Sequence, residues 1–326
     1  MKINLAVKTL LLVVGLSFLH EKSFGQLTID SFVVFSGPNG TGTSLIGSSI
    51  TINGGSVGAR KLVQTTGNAT INANIYSGDK VVITNSNIIN GRITAANSSA
   101  STGNILTVGS STSISGNIDV NGNVVIGGGT VSGTVTVPVG STYSGPAPAG
   151  GTVFGPPALP ALPVMPAPTP LPAMTPGLPN ITGNQTIPAG SYGSVIFGGN
   201  KTLTLDSAGI YYFYSFQLTG NSNKLVFNFK NGPGVFYVYI YGNADFGKLN
   251  ASLTNGGSAA RIYVETHGNG TGTSIPGNSF IIANGSSGGG SKWQGTVYAP
   301  FAGINIGSGT GSSTLTGTLA SSTSVT

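Results

Sequence analysis

The chain has 326 residues, of which 53 are Gly, 18 are Pro and none is Cys, and Asp, Glu, Lys and Arg together make up 6% where an ordinary soluble domain carries about 25%. Hydrophobic residues still reach 39% and the mean hydropathy is +0.23, which excludes the charged, hydrophobe-poor class of disordered chains. The missing G-X-Y period excludes collagen, and the lack of long apolar runs past the N terminus excludes a polytopic membrane protein.

Residues 1–8 (MKINLAVK) are short and basic, and residues 9–19 (TLLLVVGLSFL) form an apolar core of signal-peptide rather than spanning length. Ser23 and Gly25 take the −3 and −1 positions of a cut before Gln26. The expectation is a cleavable signal peptide over residues 1–25, and hence a secreted or cell-surface protein with no membrane span in its mature part. After residue 25, ten basic residues face six acidic ones, and Arg60-Lys61 is the one adjacent basic pair. That charge gives no footprint for nucleic acid. Without cysteine, stability has to come from backbone ladders and packing.

Residues 26–145 read as an N-terminal β-repeat module. Short β-favouring runs such as 71–75 (INANI), 81–84 (VVIT) and 105–108 (ILTV) alternate with Gly and Asn. From Ile114 the apolar positions Ile118, Val120, Val124, Ile126, Val131, Val135 and Val137 fall mostly two or four residues apart. This is strand alternation broken by a corner every six or so residues. Strands of two to four residues are too short to stand as hairpins, but they suit the sides of a coil in which each rung bonds to the next. The expected fold is all-β: a β-solenoid, parallel β-helix-like, of short Gly- and Asn-punctuated strands with a Pro-rich insert.

That insert spans residues 146–179, which hold 12 of the 18 prolines. Proline has no N–H for a ladder, so this segment reads as a polyproline II linker, or as a strap lying along the solenoid. Residues 180–326 read as a C-terminal, aromatic-rich solenoid module. In residues 235–241 (VFYVYIY), Phe236, Val238 and Ile240 share one face while Tyr237, Tyr239 and Tyr241 share the other. The tyrosines either cover the solenoid flank or strap, or form an aromatic platform for a glycan or surface. Trp293, the sole tryptophan, is either core or a binding-site aromatic.

Residues 187–197 (IPAGSYGSVIF), 209–220 (GIYYFYSFQLTG), 234–242 (GVFYVYIYG) and 295–306 (GTVYAPFAGINI) together resemble the β-solenoid surface domain of choice-of-anchor A proteins and of PilX-associated pilus proteins. The resemblance covers roughly residues 100–326 and implies a bacterial cell-surface domain with no catalytic residues to carry over. A weaker resemblance links the order of these segments to the ice-binding β-solenoid family, which sets rows of Thr on a flat face. Here Thr202 and Thr204, or Thr314, Thr316 and Thr318, alternate only locally. The repeat would be expected to continue past residues 321–326 (SSTSVT), and if it does, an anchoring or sorting domain is expected downstream.

The inventory for chemistry is thin. Asp30, Asp79, Asp119, Asp206, Asp245, Glu265 and His267 are the carboxylates and histidine after residue 25. Asp206, Asp245 and Glu265 could act as a glycosidase pair only by meeting on neighbouring rungs. Glu265 and His267 could ligate a metal with Asp245, but as an i, i+2 pair they read as a solvated strand end. The abundant serines read as repeat-corner residues rather than as a strand-to-helix nucleophile elbow, and the glycines at 127–129 lack the following Lys-Ser/Thr of a phosphate cradle. The expectation is an exported structural or adhesive solenoid, not an enzyme, without cofactor or bound metal. It would contact a polysaccharide or other surface through Tyr237, Tyr239, Tyr241 and Trp293. The alternative is a secreted ice-binding or polysaccharide-binding protein.

Overall fold

The computed structural model describes residues 26–282, 290–307 and 313–326; the expected signal peptide lies outside the described residues. The chain is a β-solenoid whose strands, two to nine residues long, pair only in parallel. They stack into sheets of sixteen, twelve and six strands, called here the strap sheet, the second sheet and the short sheet. Among the described residues the helical content is two single 3-10 turns.

The corners follow from the residues that occupy them. Asn68, Asn97, Asn200, Asn231 and Asn255 adopt left-handed φ values of 52–58°, a region that Asn tolerates better than most side chains. At Gly220 a Cβ would stand 1.6 Å from the carbonyl oxygen of Gly198, so stacked corners can approach only where the side chain is missing. Between corners, alternate residues turn inward and stack in columns. One column runs Val135, Ile118, Ile93, Ile75, Val57 and Val34, then crosses to Leu319, Val297, Val264 and Val238. The residues after 180 add aromatics to this interior, among them Phe213, Phe227, Phe236 and Phe280.

The crossing from Val34 to Leu319 reveals the chain path. The first strand, Val34–Ser36, lies in the middle of the solenoid, paired on one side with Thr51–Ala59 and on the other with Leu319–Ser321. From there the chain coils outward to Thr152–Phe154 at one end, runs back along the outside, and coils inward from Gln185–Ile187 at the far end. In the second sheet Thr43 and Ser44 pair with Ser324 and Val325. The last rung of the inward coil thus pairs with the chain's own first turn.

The return path is the proline segment. Ala158 bonds to Asp119 and Arg92, and Pro172 accepts from Tyr241. Eight rungs separate those anchors, roughly 38 Å at strand spacing, and fourteen polyproline II residues span roughly 43 Å. With three residues per turn the strap has three rows. Leu159, Leu162, Met165, Pro168, Leu171 and Met174 are half-buried against the solenoid, whereas Ala161, Val164, Ala167, Pro170 and Ala173 are exposed. The third row is Pro157, Pro160, Pro163, Pro166, Thr169 and Pro172, with Thr169 as its one exception. Leu162 and Met165 pack against Phe32, Phe35 and Tyr76, giving the strap a small apolar core of its own.

Candidate functional site

Under the strap runs a column of outward-facing side chains that links Tyr212, Tyr239, Glu265 and Tyr298 to Tyr76 and Asp119. Prolines offer carbonyls but no N–H, so this surface has to donate. It does so through Arg60 to Leu162 and Pro163 (3.3 and 2.7 Å), Tyr298 to Pro166 (2.5 Å), and Tyr241 to Pro172. The two strap amides that are used meet buried carboxylates. Ala158 N–H donates to Asp119 (3.0 Å), which also holds Arg92 at 2.8 Å, and Thr169 N–H donates to Glu265 (2.8 Å). Proline cannot occupy position 169 without losing that N–H, which accounts for the break in the proline row.

Glu265 is fully buried. One carboxylate oxygen accepts from Thr169 N–H and contacts His267 Nε2 at 2.8 Å; the other accepts from the Thr169 hydroxyl at 2.6 Å and from the Tyr263 hydroxyl at 2.8 Å. The solvated strand-end pair expected here is thus a sealed latch, because the strap closes over it. Asp245 is not brought to it: that carboxylate lies on the second sheet, where Ser274 N–H and hydroxyl close on it at 2.6 and 2.8 Å, beside a groove of about 760 Å³. Asp206 is ion-paired to Lys230 at 2.6 Å. The three acidic residues considered for glycosidase chemistry therefore face separate surroundings. Among the described residues no three His, Cys, Asp or Glu side chains gather as a metal site.

The aromatic candidates divide. Tyr239 stacks on Tyr212 (ring centroids 5.5 Å apart) and lies beside Thr169, while Tyr241 holds the strap at Pro172. The tyrosine platform carries the protein's own proline strap, the chemistry of proline-rich recognition turned inward. Tyr237, on the flank, is 40% exposed. Trp293 is corrected from a surface contact to core: it is 1% exposed, is packed by Phe227, Phe246 and Phe280, and donates its indole N–H to Gly295.

Burial pushes the phenols of Tyr239, Tyr241 and Tyr298 above their ordinary value of 10.0, and burial next to the Glu265 carboxylate pushes Tyr263 furthest. A phenol whose folded-state value is raised keeps its proton where the unfolded chain gives it up. The stability it contributes is full below pH 10 and is lost as pH rises above it. The thermal midpoint is therefore expected to hold between pH 7 and 9 and to fall steeply above pH 10, with Tyr263→Phe flattening that fall; an equally steep fall in the variant refutes the assignment to Tyr263.

Two further faces stand out, the first not singled out from the sequence and the second containing the Thr202, Thr204 and Thr314 noted there. On the part of the sixteen-stranded sheet that precedes, in each turn, the strands under the strap, residues before 145 form two outward columns. One is Thr51, Thr70, Ile88, Ser113 and Thr130; the other starts Asn53, Asn72 and Asn90, joined amide to amide at 2.7 Å, and continues along the same strand edge to Ser115 and Ser132. On the short sheet, Thr202, Lys224, Asn250, Lys292 and Thr314 share one column, while Thr186, Thr204, Val226 and Ser252 share the next. The repeated T/S/I-Φ-N/S triplets at 51–53, 70–72, 88–90, 113–115 and 130–132 were the available signal for the first face. No family model, curated protein or solved structure matches this chain.

Proposed function

We propose that this chain is an exported cell-surface β-solenoid with a structural and adhesive role and no catalytic one, whose flat sides hold it to a polysaccharide or other extracellular surface. The observation that carries this reading is the pair of columns from Thr51 to Thr130 and from Asn53 to Ser132. They are uncharged and mostly exposed, and apart from Ile88 they present hydroxyls and amides on rungs about 4.8 Å apart. An extended array of this kind suits an extended surface better than a small ligand, which prefers a concave site. The apolar leader and the resemblance to bacterial surface solenoids support the location.

Placing charge on the array tests it. Ser113→Lys with Ser115→Lys alters two exposed side chains of one strand edge and is expected to leave the melting midpoint within a few degrees. Adherence of cells displaying the protein should fall severalfold. Unchanged adherence, or native protein found only free in the medium, overturns the adhesive reading. The second reading, a secreted ice-binding or polysaccharide-binding protein, draws on the short sheet, where Thr202 with Thr204 and Thr314 with Thr316 lie on strands of the same ladder. Thermal hysteresis and a glycan array separate its two forms.

A further inference from the structure

We propose that the short sheet is a docking face for an acidic, uronate-bearing polysaccharide, with Lys224 and Lys292 as its charged contacts. The proposal rests on the polysaccharide-binding part of the reading above and names the ligand class for a different face. Lys224 and Lys292 are both exposed and project from one column, separated by the single rung of Asn250. Two rungs span about 10 Å, close to the extended disaccharide repeat of a β-1,4-linked uronan. Lys201 and Lys248 immediately precede strands Thr202–Leu205 and Leu249–Thr254 of the same sheet.

Among the described residues neither Lys224 nor Lys292 is ion-paired. The three acidic residues after residue 180 are spent elsewhere: Asp206 on Lys230, Asp245 on Ser274, and Glu265 beneath the strap. Residues 283–289 and 308–312 contain no charged side chain. Around the lysines, Thr202, Thr204, Asn250, Ser252, Gln294 and Thr314 supply the mixed donors and acceptors that sugar hydroxyls need. The columns run along the solenoid axis for five rungs, so a linear polymer lying along them meets the lysines with alternate carboxylates. A convex DNA duplex would touch one sheet face at only a few phosphates, and among the described residues the face has no aromatic platform for single strands.

The test uses the full mature chain with polymannuronate, neutral β-1,4-mannan and a duplex DNA as probes, at low and moderate salt. Polymannuronate should bind at least tenfold more tightly than the mannan, which differs from it by the carboxylate. Lys224→Gln with Lys292→Gln should weaken polymannuronate binding about tenfold and reduce its salt dependence, with the melting midpoint unchanged. Equal affinity for mannan, full retention in the double variant, or duplex DNA binding as tightly as polymannuronate each overturns the proposal. If polymannuronate does not bind while the Ser113 and Ser115 substitutions still abolish adherence, this inference fails and the adhesive reading stands.

Discussion

Glu265→Ala is expected to lower the unfolding free energy by about 3–5 kcal/mol, the range for removing one partner from a buried, hydrogen-bonded ionic cluster. The carboxylate is fully buried and receives three donors from Thr169 and Tyr263 besides its contact with His267. Deleting it leaves those groups without their acceptor beneath the strap. Thr169→Pro gives a sharper result because two effects oppose in sign. Thr169 sits between Pro168 and Pro170 in a row that is otherwise proline, so its backbone already suits proline. On conformational grounds alone the substitution would stabilise by about 0.4–1 kcal/mol. It also removes both the N–H and the hydroxyl that Glu265 holds, and hydrogen bonds to a charged group contribute about 1.5–3 kcal/mol each. Net destabilisation of about 2 kcal/mol or more is therefore expected in a denaturant titration, with faster proteolysis near residue 169. A stabilised Thr169→Pro variant would mean that the strap is held by its apolar row and not by the latch.

That apolar row was readable in the sequence. Leu159, Leu162, Met165, Pro168, Leu171 and Met174 recur every three residues, as a polyproline II helix requires when one row faces a protein surface. The proline count alone left linker and strap undivided; the period separates them. The solenoid was readable for a related reason, since alternation and positive-φ corners are local properties. Other features were not local. The burial of Glu265 depends on Thr169, 96 positions away, so an i, i+2 pair of Glu and His reads as solvated until the strap is in place. Lys224 and Lys292 align because rungs of unequal length place them in one column, and no fixed sequence period carries that. Trp293 stood between core and surface because one strand can turn either face inward. Its neighbours Phe227, Phe246 and Phe280 come from three other strands or turns of the coil.

The path from Leu319 to Val34 was the least legible feature, and it carries the second large expected effect. Parallel pairing between the last and first strands makes one continuous hydrophobic column out of two coils wound separately. Each coil then covers an edge that the other would leave open, and uncovered edges are where solenoids unravel or aggregate. Leu319, 5% exposed and stacked between Val297 and Val34, is the residue at which to break the join. Leu319→Arg buries a charge in an apolar column without a partner, which costs several kcal/mol. The substitution acts at the seam while leaving the outer rungs of both coils untouched. With a protease site inserted at Gly155, where the chain leaves its last N-terminal strand, cleaved wild-type protein is expected to elute as a single species, held by the seam and by the strap contacts of Arg60 and Asp119. The cleaved Leu319→Arg protein should separate into two fragments or precipitate through its exposed edges. Separation of the cleaved wild type under native conditions would show that the two coils are independent bodies and that the pairing of Val34 with Leu319 contributes little.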